Sequence, residues 1–277
     1  MKTLKLLVVS LVLSAQAFAT DFMNEDYGEV DGWYGFYFRG AALFVIPTGK
    51  SQPVELANVQ GPAELAVKNG PIAGSYVTMG FNAMPALTLG YALPFWKRSL
   101  SIETILALPF EMTMHAGGTL ATQSLAPYAL GNLPTGVPPL GDELGKIKVL
   151  PPVLTLVWRF LPEFRVRPYI GAGVSVLIPM GARLTNPVLT AVGNPTLEVP
   201  VKAGFVIQAG GEVRLWKWFF LTADFKYIAG FDLTATVKNI AVKLPALPIF
   251  EQAKVGDNVV KMSVNPVILQ IGLGMDL

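Results

Sequence analysis

Seven charged residues fall where alternation along extended segments turns them to one face: Glu103, Arg159, Arg167, Glu212, Arg214, Asp224 and Lys226. In a strand, residues i and i+2 share a face. Thr222, Asp224 and Lys226 alternate with Ala223, Phe225 and Tyr227. Gln208, Glu212 and Arg214 oppose Ala209, Val213 and Leu215, while Thr155 and Arg159 oppose Leu154, Leu156, Trp158 and Phe160. Arg167 and Tyr169, Glu103, and Arg39 continue the polar set. The chemistry open to such a set is mutual neutralisation, because an unpaired charge in a narrow interior is costly whereas a paired one is tolerated. Four cations face three anions, with Arg39 and Asp276 at heights the pattern leaves less certain. All seven lie close to short turns. They are expected at one end of a hollow structure, as a polar plug that closes its lower lumen.

The same alternation followed away from the turns gives a different lining. It selects Leu43 and Val45, Ala107 and Pro109, and Val153. It continues with Ser175 and Leu177, Val206, Ile228, and Val264 with Ile268. This upper lumen is mostly apolar and suits a hydrophobic solute. It equally suits a dry, filled core, since an eight-stranded interior is only just wide enough for side chains.

Other chemistry is scarce. A lipid hydrolase needs a nucleophile beside a base. The single histidine, His115, opens a Gly-rich loop with no HxS arrangement nearby, and cysteine is absent. No enzyme, no cofactor and no transition-metal site are expected.

The elements that position these residues are long strands. Residues 149–180 form two apolar segments joined by a short polar turn at 161–165. Each segment carries Pro or Gly, which disfavours helix, and each exceeds the about 9–11 tilted residues that cross a bilayer. Hydrophobic residues make up 52% and charged residues 14% of 277, yet Gly (27) and Pro (22) interrupt every apolar run. A closed β-barrel satisfies the backbone inside lipid without helices. Eight strands are expected, at 34–46, 85–95, 100–112, 148–160, 166–178, 201–215, 219–231 and 260–277. Tight turns at 96–99, 161–165 and 216–218 alternate with long connections at 47–84, 113–147, 179–200 and 232–259. That is the layout of an outer-membrane barrel with short periplasmic turns, long external loops and both termini on the periplasmic side. Phe95, Trp96, Trp216 and Trp218 beside Lys97, Arg98 and Lys217 predict an aromatic girdle at the inner interface.

The first nineteen residues read as a signal peptide. Lys2 and Lys5 precede an apolar core at 6–13 and the cleavage pattern Ala17, Phe18, Ala19. Beyond them the 21 basic residues fall to 19, against 19 acidic. A neutral chain without a basic run gives no footprint for nucleic acid.

A closed lower lumen raises the question of exit. Proline cannot donate to a ladder and is disfavoured in a central strand. Pro94, Pro109, Pro151 and Pro152 fall on the second, third and fourth strands and suggest a lateral seam beside the third. Alternatively they lie above the bilayer, where strands fray. Residues 120–137 and 240–250, rich in Leu, Ala and Pro, are expected either as a binding region or as a lid over the mouth.

Five stretches carry a family resemblance: SIETILALPFEM at 101–112, KVLPPVLTLVWRF at 148–160, RPYIGAGVSV at 167–176, AGFVIQAGGEVRL at 203–215 and WFFLTADFKYIAGFDLTAT at 218–236. The LPP and RPYIGAG elements are the most specific. The chain resembles the OmpW family of outer-membrane proteins from the second strand to the eighth. The resemblance implies a small eight-stranded barrel with a narrow hydrophobic interior, in the outer membrane of a Gram-negative bacterium. It implies binding or passage of small hydrophobic molecules, some relatives being alkane-uptake facilitators. Expected partners are membrane lipid, hydrophobic solutes and the barrel-assembly machinery, met through the last strand. The alternative is a structural or stress-related barrel, or a phage or bacteriocin receptor. Two departures stand out. The family usually ends in an aromatic residue, whereas Leu269, Ile271, Leu273, Met275 and Leu277 keep an apolar face without a ring. The first two external loops are also long and apolar for the family.

Overall fold

The computed structural model describes residues 34–130, 132–191, 194–243 and 252–277. The signal-peptide segment 1–19 lies outside the described residues, as do 244–250 of the apolar loop. Eight antiparallel strands form the barrel: β1 (Phe36–Ile46), β2 (Asn82–Ala92), β3 (Leu100–Ala107), β4 (Val153–Arg159), β5 (Val166–Leu184), β6 (Lys202–Arg214), β7 (Phe219–Ala229) and β8 (Val267–Asp276). Each pairs with its sequence neighbours, and β1 pairs with β8, which closes the sheet. Closure removes the free edges that lipid would leave unsatisfied. No described helix is long and apolar enough to cross a membrane.

Burial alternates along every barrel strand. In β4 the pattern is strictly inside–outside: Val153, Thr155, Val157 and Arg159 are buried, while Leu154, Leu156 and Trp158 are exposed. The exposed set across the barrel is apolar, including Leu106, Ile170, Val174, Phe205, Ile207, Ile271 and Leu273. An apolar outside around a charged inside is the inverse of a soluble domain, and it is what a hydrocarbon solvent requires. At the short-turn end, Phe95, Trp96, Trp158, Phe160, Trp216 and Phe219 stay exposed. Trp96 packs against both Phe95 and Trp158, with ring centroids 5.3 and 5.4 Å apart. This aromatic cluster sits where rings favour headgroup level.

Two groups of expectations are corrected. First, the long connections are not loops alone. Ser75–Met79, Phe110–Gly118, Glu143–Leu150 and the upper half of β5 continue the sheet upward on one side. Thr196–Glu198, Asp232–Lys243, Gln252–Ser263, Glu55–Ala57 and Gly70–Pro71 form a second sheet facing it. Their cause is the same alternation: Val77, Met112, Met114, Ala116, Leu233 and Val237 are buried between outward residues. His115 therefore lies on the strand Phe110–Gly118, not at the start of a loop.

Second, proline breaks the expected strands. The third ends at Ala107 and resumes at Phe110, across Leu108 and Pro109. The fourth is split at Pro151 and Pro152, and the eighth between Ser263 and Val267, where Pro266 stands. Pro94 is not on the second strand or near this seam. The β2–β3 ladder starts at Ala92 and Ser101, so Pro94 falls in the bend at the opposite, short-turn end.

Candidate functional site

The lower lumen is filled by one network of buried polar groups. Glu103, Glu212, Arg159, Arg167, Arg39, Asp224, Lys226 and Asp276 are at most 5% exposed. Arg39 ion-pairs with Glu103, and its Nη1 lies 3.8 Å from Glu212. Arg159 reaches Glu212 at 3.2 Å and Glu103 at 3.5 Å. Arg167 reaches Glu212 at 3.0 Å and Asp276 at 3.3 Å, and Lys226 ion-pairs with Asp224. Arg214 is buried at the same end. Arg39 is thus at the centre of the cluster, and Asp276 belongs to its base.

Neutral groups tie the ions across the barrel. The Tyr169 hydroxyl donates to Asp224 (2.7 Å) and accepts from Arg39 Nη1 (2.9 Å). The Tyr37 hydroxyl donates to Glu103 (2.7 Å) beside Ser101 (3.0 Å). Gln208 Nε2 donates to Asp224 and Glu103, and Lys226 donates to Gln270. The bonds that join β1 to β3 and β5, β5 to β7, and β3 to β6 cross the lumen, while Gln208–Asp224 and Lys226–Gln270 join neighbouring strands. Paired in this way, the charges satisfy the requirement that buried ions be compensated.

Glycines make room for the rings in this layer. Tyr37 is directly opposite Gly90, Tyr169 opposite Gly210, and Phe220 opposite Gly274. A Cβ on Gly90 would stand 2.0 Å from the Tyr37 ring, one on Gly210 2.5 Å from Tyr169, and one on Gly274 2.2 Å from Phe220. Arg159 and Arg167 lie over Tyr37 and Phe220, at 4.5 and 4.8 Å from the ring centroids. Tyr37, Ser101, Phe220 and Gln270 were not among the residues selected from sequence. Their inward parity with Arg39, Glu103, Thr222 and Ile268 was the available signal.

Above this layer the interior becomes apolar. Leu43, Val45, Val153, Leu177, Val206, Ile228, Val264 and Ile268 are buried in one cluster, with Ala107 packed against it. Ser175 is buried among them and donates to the Pro152 carbonyl at 3.0 Å. The cluster continues upward between the two sheets. There Met79, Met114, Met262, Leu184, Leu197 and Leu233 line a wholly apolar cavity of about 60 Å³, with further lining from Val77, Leu144, Val199, Ala235, Val237 and Val260. Sequence reasoning missed this cavity because it placed all of those residues except Val260 and Met262 in loops. Leu120, Ala126 and Val137 of the 120–137 loop, with Leu140 beyond it, pack down onto the same cluster, while Tyr128, Leu130 and Leu133 of that loop stay exposed.

The barrel wall is interrupted between these two levels. Ile105 pairs with Val153 below, and Phe110 with Val149 above. Between them, residues 106–109 and 150–152 make no ladder to one another. Pro109, Pro151 and Pro152 all fall in this interval. Elsewhere the gaps are bridged: the Pro152 carbonyl accepts from Val176 of β5, and the Glu111 carbonyl accepts from the Asn82 side chain. Away from this region, His115 Nδ1 lies 2.9 Å from Asp142 on the outer wall. No cluster of metal-ligating side chains occurs among the described residues.

A closed eight-stranded sheet with a lipid-facing apolar outside, an aromatic belt and a charged lower interior is a transmembrane barrel of the outer-membrane class. The OmpW family model matches residues 35–277, and the chain belongs to the OmpW family. The outer membrane protein OprG from Pseudomonas aeruginosa shares the fold at 20% identity and a TM-score of 0.64, covering 91% of this chain and 98% of that one. The outer membrane protein AlkL, determined in DMPC bilayers, matches at 17% identity and a TM-score of 0.50, covering 91% and 96%. No curated protein matches the chain.

Proposed function

We propose that this barrel takes up small hydrophobic molecules at the cell surface and releases them sideways into the outer membrane. The observation that carries the reading is the interrupted β3–β4 ladder, which lies above the charged layer with the apolar pair Ile105 and Val153 between them. A solute that continued downward would have to part buried ion pairs, at about 3–5 kcal/mol for each pair broken. A solute that leaves at residues 106–109 and 150–152 breaks no ladder bond. The apolar cavity between the sheets is the receiving end, and its three methionines are adaptable enough to repack around different shapes. In this reading the eight ionic residues and Arg214 are the plug. The upper-lumen residues from Leu43 to Ile268 are the path, and Pro109, Pro151 and Pro152 are the seam. Residues 1–19 direct export, and the alternating apolar face ending at Leu277 meets the assembly machinery.

The test is uptake of a hydrocarbon or small aromatic by cells carrying the barrel. Leu177→Arg puts an uncompensated charge into the apolar path. Uptake is expected to fall to the level of cells without the protein, with assembly checked by heat-modifiable gel mobility. Undiminished uptake by an assembled variant would overturn the reading. A structural or receptor barrel is the second reading. It is favoured by the tight packing of the upper lumen, where Val153, Val206 and Ile228 are at most 2% exposed. An empty barrel by native mass spectrometry, with no uptake difference, would decide for it.

A further inference from the structure

We infer that the outer wall just above the lipid-facing band holds a phosphorylated lipid headgroup. On the sheet formed by Phe110–Gly118, Glu143–Leu150 and the upper half of β5, Lys146 stands directly opposite Arg183, and Lys148 directly opposite Glu111. Lys146, Lys148, Glu111 and Arg183 all share the outward face, opposite the buried Ile147, Val149 and Met112. Three cations therefore stand around Glu111, which Arg183 engages at 3.1 Å; the next carboxylate along this wall, Glu143, accepts from Thr185 at 2.8 Å. Like charges directly across a strand pair are destabilising. Lys146 against Arg183 is such a pair, and it becomes favourable when an anion sits between them. Side chains opposite one another are about 5 Å apart at Cβ, a span that a phosphate bridges. Two exposed lysines of the facing sheet are arranged differently: Lys238 faces Glu198 at 2.8 Å and Lys261 faces Glu55 at 3.2 Å, one anion to one cation.

Height identifies the source of the phosphate. The last strongly exposed apolar residues on this wall are Leu108 (76%) and Met180 (56%). Glu111 and Arg183 lie three positions beyond them, roughly 10 Å along the strand, which a tilt of about 45° turns into about 7 Å of height. The polar headgroup layer is itself about 5–7 Å deep beyond the hydrocarbon. The four side chains thus stand where lipid phosphates stand. The site does not depend on whether the seam beneath it passes a solute.

The purified barrel in non-ionic detergent is titrated with bis-phosphorylated lipid A and with the same lipid dephosphorylated, and retained lipid is read by native mass spectrometry. Inorganic phosphate is added as competitor. Phosphorylated lipid is expected to be retained in preference. Lys146→Gln with Lys148→Gln is expected to weaken retention about 30-fold, the effect of two cations lost at a lipid surface. Lys146→Arg with Lys148→Arg is expected to keep it. Equal retention of both lipids, or no change in the glutamine variant, would overturn the site. Inorganic phosphate competing as strongly as lipid A would assign it to free phosphate and overturn the headgroup.

Discussion

Glu212 shows how much one side chain can carry in this interior. Its carboxylate meets Arg159 and Arg167 and lies near Arg39, all buried. Glu212→Ala leaves those guanidiniums short of an anion with no water to replace it, and is expected to destabilise the barrel by about 3–5 kcal/mol. Glu212→Gln, which keeps an acceptor, is expected to lose less. Urea unfolding followed by tryptophan fluorescence measures both, and equal stability of wild type and the alanine variant would remove the network from the account. The ionic residues themselves were legible from alternation alone, because a charge with inward parity in a lipid-solvated strand has no other place to go. Their connectivity was not legible. Which carboxylate meets which guanidinium depends on strand tilt and register, so Arg39 and Asp276 could not be given a height until β1 was seen paired with β8.

At the scale of the element, the outcome turns on what interrupts a strand. The barrel portions of the third and fourth strands lie where period-two alternation places them, and the lipid face of Leu154, Leu156 and Trp158 follows from it. Pro109, Pro151 and Pro152 marked the break, but sequence alone could not show that they face one another across a single strand boundary. The loops were misjudged for a related reason. Thr113, Met114, His115 and Ala116 alternate as clearly as any barrel strand, but the surrounding Gly and Pro suggested irregular chain. Aromatic–glycine pairing is a further feature of the elements. Gly90→Ala would drive a methyl group into the Tyr37 ring, and is expected to destabilise by about 1–3 kcal/mol as overpacking does. In a Tyr37→Ala background the same change is expected to add little. A double-mutant cycle on urea stability measures the coupling, and additive losses would show that the close approach is not what Gly90 provides.

For the whole molecule, the two halves of the interior make opposite demands on a passenger. The two-sheet extension and the upper barrel offer aliphatic surface, and the base offers only compensated charge. A hydrophobic solute gains by leaving water for the first and gains nothing by entering the second. The proposed exit lies between the upper barrel and its extension, where residues 106–109 and 150–152 make no ladder to one another. The most direct measurement is uptake of a radiolabelled hydrocarbon by cells whose barrel carries Pro109→Val and Pro151→Val, which restore ladder donors across the β3–β4 boundary. With assembly confirmed by heat-modifiable mobility, uptake is expected to fall to that of cells without the barrel. Uptake at the wild-type rate would contradict lateral release.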